Sequence, residues 1–283
     1  MLQKFSWNRT LWLITAALSL IAALIGVLDP HIYSKVISRT LMPGTFSQDL
    51  MTIIASIILL VLAVCAKKDA KKTQIVILGL LGYLFYAYGI FVIERVYTIF
   101  YLVYMAIFGL SFWSIAYGAA NIRREVLQTV TLSRPMRYIS AVGSLLQPLL
   151  FYPLWIISLL PLIETGRKIE FLYSVYILDL CFIMPAFAIL AIMTIKKRGL
   201  GLVLTPAMFV LGFTLIFSLA IGELVKPLYN LAPDIAGLTM SLLLSLLFLV
   251  LAGLHLWKLI TRERSEVTTR AQAPNTSNIV GIL

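Results

Sequence analysis

Asp179 lies near the middle of an apolar run covering about 171–195. Inserting a carboxylate at such a depth costs roughly 2.5–3.5 kcal/mol, so residues of this kind face a bundle interior or a water-filled cavity. Tyr173, Tyr176 and Asp179 follow at i, i+3 and i+6, which places them on one side of a helix. At ~1.5 Å per residue, Asp179 falls about 12 Å below the outer edge of a ~30 Å hydrocarbon core. Gln147, in the preceding run, falls about 13 Å from the inner edge by the same count. The two side chains share a depth, and a hydrogen bond from the Gln147 amide to Asp179 is expected. The chemistry such a pair offers is reversible protonation and polar binding of a small solute or ion.

Tyrosines surround this position. Tyr83, Tyr86 and Tyr88 fall in one apolar run, and Tyr97, Tyr101 and Tyr104 follow at helical spacing around the next. A substrate-binding pocket lined by Tyr83, Tyr86, Tyr104, Tyr176, Gln147 and Asp179, open to the outside, is the candidate site. The same tyrosines also read as buried packing with satisfied hydroxyls, and Tyr97 and Tyr173 as an interfacial belt. No Lys, Arg or His is expected at the depth of Asp179, so this acid is read as protonatable. A proton-coupled carrier needs that property, and a neutral acid making one helix–helix hydrogen bond has it too. Asp49, Glu94 and Arg95 are placed at the outer rim, the last two as a solvated pair.

Several chemistries find no support. His31 and His255 are expected on opposite sides of the membrane and cannot share a metal, and no Cys/His cluster has ligand spacing. The chain has no G-x-S-x-G elbow, phosphate-binding loop or dinucleotide fingerprint. One buried Asp without a second acid argues against an aspartyl protease. No catalytic residue, metal or cofactor is assigned, and the chain is not read as an enzyme. Lipid-directed chemistry at the outer rim has no motif behind it.

The elements that must position these residues follow from composition. The 283 residues are 61% hydrophobic and 12% charged, whereas soluble domains carry about 25% charged residues. Eight apolar runs near 11–28, 50–66, 75–93, 97–118, 138–162, 171–195, 200–222 and 236–259 each approach the ~20 residues a helix needs to cross a bilayer. None alternates as barrel strands do. The expected fold is an all-α polytopic bundle of eight transmembrane helices, with residues 1–260 as the membrane domain and 261–283 as a polar, disordered cytoplasmic tail.

The net charge of +11 does not point to nucleic acid, because the basic residues mark loops. With the N-terminus inside, every inner loop between runs holds at least three of them, as at Lys67, Lys68, Lys71 and Lys72, and no outer loop more than two. Both termini are therefore expected to be cytoplasmic, in the cell (inner or plasma) membrane, with the lipid bilayer as the first partner. Cys65 and Cys181 lie too far apart in depth to bridge. The segment 29–49 is expected to be an outer cap over the bundle. Pro148, Pro153, Pro185 and Pro206 fall inside runs and should kink or open them. Ser19, Ala22, Ala23 and Gly26 form a face that a neighbouring helix can approach closely.

Gln48-Asp49-Leu50, Gly82-Tyr83-Leu84 with Tyr86 and Tyr88, Phe100-Tyr101-Leu102-Val103-Tyr104, and Tyr176-Ile177-Leu178-Asp179 leading to Pro185 resemble a family of uncharacterised prokaryotic multi-span membrane proteins. Relatives in that family often carry Asn where this chain has Ala87. The resemblance implies no activity; it singles out Asp49, Asp179 and the tyrosines. Two functional classes stand at this point. One is transport or binding of a small solute, ion or proton through the outward pocket. The other is a non-catalytic accessory or sensor protein that meets a membrane partner through helix–helix contacts.

Overall fold

A computed structural model describes residues 1–169 and 172–261, and the expected tail beyond Thr261 lies outside the described residues. Eight segments are long and apolar enough to cross a membrane. They are α1 (Phe5–Leu28), α2 (Met42–Cys65), α3 (Lys71–Ile93), α4 (Tyr101–Ala120), α6 (Arg134–Thr165), the composite span Tyr173–Ile195, α9 (Gly199–Val225) and α10 (Ile235–Lys258). The composite span consists of α7 (Tyr173–Leu178), a π-helical turn (Asp179–Ile183) and α8 (Met184–Ile195). A short helix, α5 (Arg124–Thr129), runs between α4 and α6. The chain is an all-α, multi-pass membrane protein.

Local chemistry sets the helix ends. Pro43 and Pro135 stand in the first turns of α2 and α6, where no intrahelical donor is missed. Arg95, Gly166, Lys197 and Asn230 take left-handed backbone conformations that turn the chain between spans.

α3 and α9 form the centre. α3 is the most enclosed span and packs on α2, α4, α7 and α9; α9 packs on α2, α3, α8 and α10. α1 lies against α2 and α4. Its small-residue face, Ser19, Ala22, Ala23 and Gly26, is buried within the molecule. α6 is the least enclosed span, resting on α8 with a narrow contact to α10.

The end with the basic loops, the inner end by the charge rule, is tied by backbone and side-chain bonds. The Gln74 amide accepts from the Leu2 N–H (3.0 Å) and donates to the Lys67 and Lys68 carbonyls. A two-residue ladder pairs β1 (Val130–Thr131) with β2 (Ile260–Thr261), joining the approach to α6 to the exit of α10.

α6 and α9 stay helical through their internal prolines, and at Pro206 the freed carbonyl finds another donor. Pro206 offers no N–H to the Leu202 carbonyl four residues earlier. The Nε2–H of His255, on α10, donates to that carbonyl over 2.9 Å. Since a carbonyl only accepts, Nε2 carries the proton, and Nδ1 accepts from the Ser140 hydroxyl of α6 (2.8 Å). His255 thus joins three spans.

One boundary differs from expectation. α2 begins at Met42, not near residue 50, so Asp49 is about two turns inside a span rather than in an outer cap. The polar stretch from Gly44 to Asp49 stays helical because its side chains bond inside the bundle, as Gln48 does by donating to the Ala87 carbonyl (2.9 Å).

Candidate functional site

Two buried aspartates sit in the outer half of the protein, one in each lobe. Asp179 is 6% exposed. It opens the π-helical turn, whose N–H of Met184 bonds back five residues to the Asp179 carbonyl. Pro185 would continue this register to Leu180 but has no N–H. The Tyr152 hydroxyl of α6 donates to the Leu180 carbonyl instead (3.3 Å). A π-turn of this kind re-aims one side chain and is common at functional sites.

The Asp179 carboxylate accepts from the Trp155 indole Nε1–H of α6 at 2.8 Å. The Tyr86 hydroxyl of α3 lies on the same side of the bundle, toward this carboxylate. Both groups are neutral. The Trp155 ring meets the Tyr176 ring edge-on, centroids 5.4 Å apart. Leu178, fully buried, packs on Gly89 of α3, where an added Cβ would lie 3.1 Å from its methyl groups. That close approach brings the π-turn up to Tyr86.

Glu94, at the outer end of α3, fixes the start of α7. Its Oε1 accepts from the Ser174 N–H (2.7 Å) and hydroxyl (2.6 Å). It is buried, whereas Arg95 is exposed. The two therefore do not form the expected solvated rim pair; among the described residues the ion pair is Lys226–Glu223, at 2.7 Å.

The second carboxylate, Asp49, is 2% exposed. Its Oδ2 accepts from the Tyr33 hydroxyl (2.8 Å) and lies directly on Gly26 of α1, where any Cβ would collide with it. The Tyr104 hydroxyl donates to Tyr33 (3.4 Å), and Thr98 donates to Tyr104 (3.2 Å). Tyr83 and Tyr88 line the same lobe. Tyr83 donates to the Gln48 carbonyl (3.0 Å) and Tyr88 to the Ser19 carbonyl (3.0 Å).

Five of the six residues expected to line one pocket are divided between these lobes. Tyr86 and Tyr176 stand with Asp179, while Tyr83 and Tyr104 are bonded in the Asp49 lobe. Gln147 is buried, but its Oε1 has no partner and Trp155, two turns farther along α6, takes the expected place beside Asp179. The depth count failed because α6 runs 32 residues, longer than the bilayer requires, so its outer half rises beside α7. Trp155 was legible only as an indole in an apolar run, and Asp49 only as a polar residue near a span boundary.

No protein-family model, curated protein or solved structure matches the chain. The short-motif resemblance is therefore carried no further, and the site is read from its own geometry.

Proposed function

We propose that this multi-pass membrane protein binds and moves a small solute or ion across the bilayer, without covalent chemistry of its own, and that Asp179 is its protonatable centre. The observation behind this reading is a buried carboxylate on a π-turn, held by the neutral Trp155 indole of α6 and turned toward the Tyr86 phenol of α3, two helices that otherwise belong to different parts of the bundle. When ionised, it takes a charge-assisted bond from Trp155, worth about 1.5–3 kcal/mol against about 0.5–1.5 for a neutral acceptor. Protonation weakens that tie. The outer half of α6, exposed along Leu149, Ile157 and Ile163, then parts from α7 and opens a path from the outer end to Asp179. Proton binding and solute access are coupled by that single carboxyl.

The test is water access. Cys is placed at Tyr176 in a background lacking Cys65 and Cys181, and intact cells are treated with a membrane-impermeant thiol reagent at acid and neutral external pH. Labelling that rises as pH falls, and that no longer changes with pH in Asp179→Asn, supports the reading. A protein that is folded, reactive once denatured and unlabelled at every pH rejects it. That result favours the second reading, an accessory or sensor protein whose lipid-exposed α6 is a contact face for a membrane partner.

A further inference from the structure

We propose that Asp49 is a second proton-binding site, loaded from the outer end through a relay of three hydroxyls, Thr98, Tyr104 and Tyr33. The proposal does not depend on Asp179 and concerns the opposite lobe.

The hydrogen bonds set its direction. Thr98 lies in the half-buried loop between α3 and α4, at the outer end. The Phe100 N–H donates to Thr98 Oγ1 (3.2 Å), which engages a lone pair and leaves the hydroxyl proton for Tyr104. Tyr104 in turn donates to Tyr33, and Tyr33 donates to Asp49 Oδ2. Each hydroxyl accepts from one side and donates to the other, and the line ends on an oxygen that can only accept until it is protonated. A proton from outer water binds Thr98 Oγ1 and the Thr98 proton passes to Tyr104 Oη. The Tyr104 proton passes to Tyr33 Oη and the Tyr33 proton to Asp49 Oδ2. One proton enters, one carboxylate is neutralised, and every hydroxyl regains its hydrogen. The longest step, 3.4 Å between the tyrosine oxygens, exceeds the usual O–H···O range and is the slow one.

The surroundings suit a relay. The titratable groups facing Asp49 are all phenols: Tyr33 from the turn after α1, Tyr83 and Tyr88 of α3, Tyr104 of α4 and Tyr229 after α9. α1 presents Gly26 to it. No ion pair involves Asp49 among the described residues. Burial, together with the neighbouring Asp49, pushes the Tyr33 phenol well above its ordinary range, so Tyr33 passes protons on and does not hold a charge. The Asp49 carboxylate is met by a hydroxyl line that reaches the outer loop.

The experiment is infrared difference spectroscopy on the full chain in liposomes during an external pH drop, with Asp49→Asn identifying the carboxyl band. The wild type should gain a protonated-carboxyl band that Asp49→Asn lacks and Asp179→Asn keeps. After a rapid pH jump, Tyr104→Phe should reach the same end point about tenfold more slowly, because one link of the relay is gone. Should Asp49→Asn fail to fold, Tyr104→Phe and Thr98→Val carry the test through rate and end point alone. A band that never changes with pH, or Tyr104→Phe loading as fast as the wild type, overturns the proposal. Loss of the band in Asp179→Asn would assign it to the other lobe and overturn it equally.

Discussion

The Trp155 indole and the Asp179 carboxylate, 2.8 Å apart, make the shortest side-chain hydrogen bond between α6 and the composite span. Trp155→Phe keeps an aromatic side chain, smaller than the indole, and removes the donor. It should cost about 1.5–3 kcal/mol while Asp179 is ionised and about 1 kcal/mol once the acid is neutral. Thermal unfolding in detergent at two pH values checks this. A cost that is the same at both would show that Asp179 does not change charge between them.

Gly26→Ala puts a methyl group onto Asp49 Oδ2 and 2.6 Å from the Tyr33 hydroxyl oxygen. The overpacking should destabilise the protein by about 1–3 kcal/mol. In an Asp49→Ala background the carboxylate is gone and only the tip of Tyr33, freed from its bond, has to yield, so the added cost should fall. The double-mutant cycle is read from unfolding midpoints; additive losses would separate Gly26 from Asp49.

His255→Leu leaves the Leu202 carbonyl and the Ser140 hydroxyl without partners, an expected loss of about 3 kcal/mol. Pro206→Ala returns a helical N–H to that carbonyl. In the Pro206→Ala background the same histidine change should therefore cost about 1 kcal/mol less. Unfolding of the four proteins under one condition measures the coupling.

Tyr33 binds its proton more tightly folded than unfolded. Above the unfolded phenol value of about 10 the folded state holds more protons, so stability falls as pH rises. Below that value the contribution is fully present. Tyr33→Phe should flatten the alkaline decline by one proton's slope relative to the wild type, as seen in unfolding midpoints from neutral to strongly alkaline buffer.

Most of the architecture was legible in the runs of apolar residues, since crossing a bilayer imposes a length that few other constraints imitate. All eight spans appear within a few residues of the expected runs, apart from the starts of α1 and α2. Those starts carry Asn8 and Arg9, and Thr45, Ser47, Gln48 and Asp49, polar residues that read as loop until their bonding partners are in view. Asp179 was legible because charge is so rare at that depth. Its partner was not, because depth counting assumes that neighbouring helices start level, and α6 and α7 do not. The pairing of Pro206 with His255 was equally hidden, as it depends on which face of α10 meets α9.

The small β1–β2 ladder at the inner end gives α6 an unequal mechanical character. There the helix is clasped to the exit of α10, whereas its outer half stands exposed to lipid. The 32 residues of this helix rise about 48 Å in all. Held at one end, it is a lever: a tilt of about 10° carries its far tip roughly 8 Å by simple geometry. A small tilt about Val130–Thr131 would thus be amplified at the opposite surface.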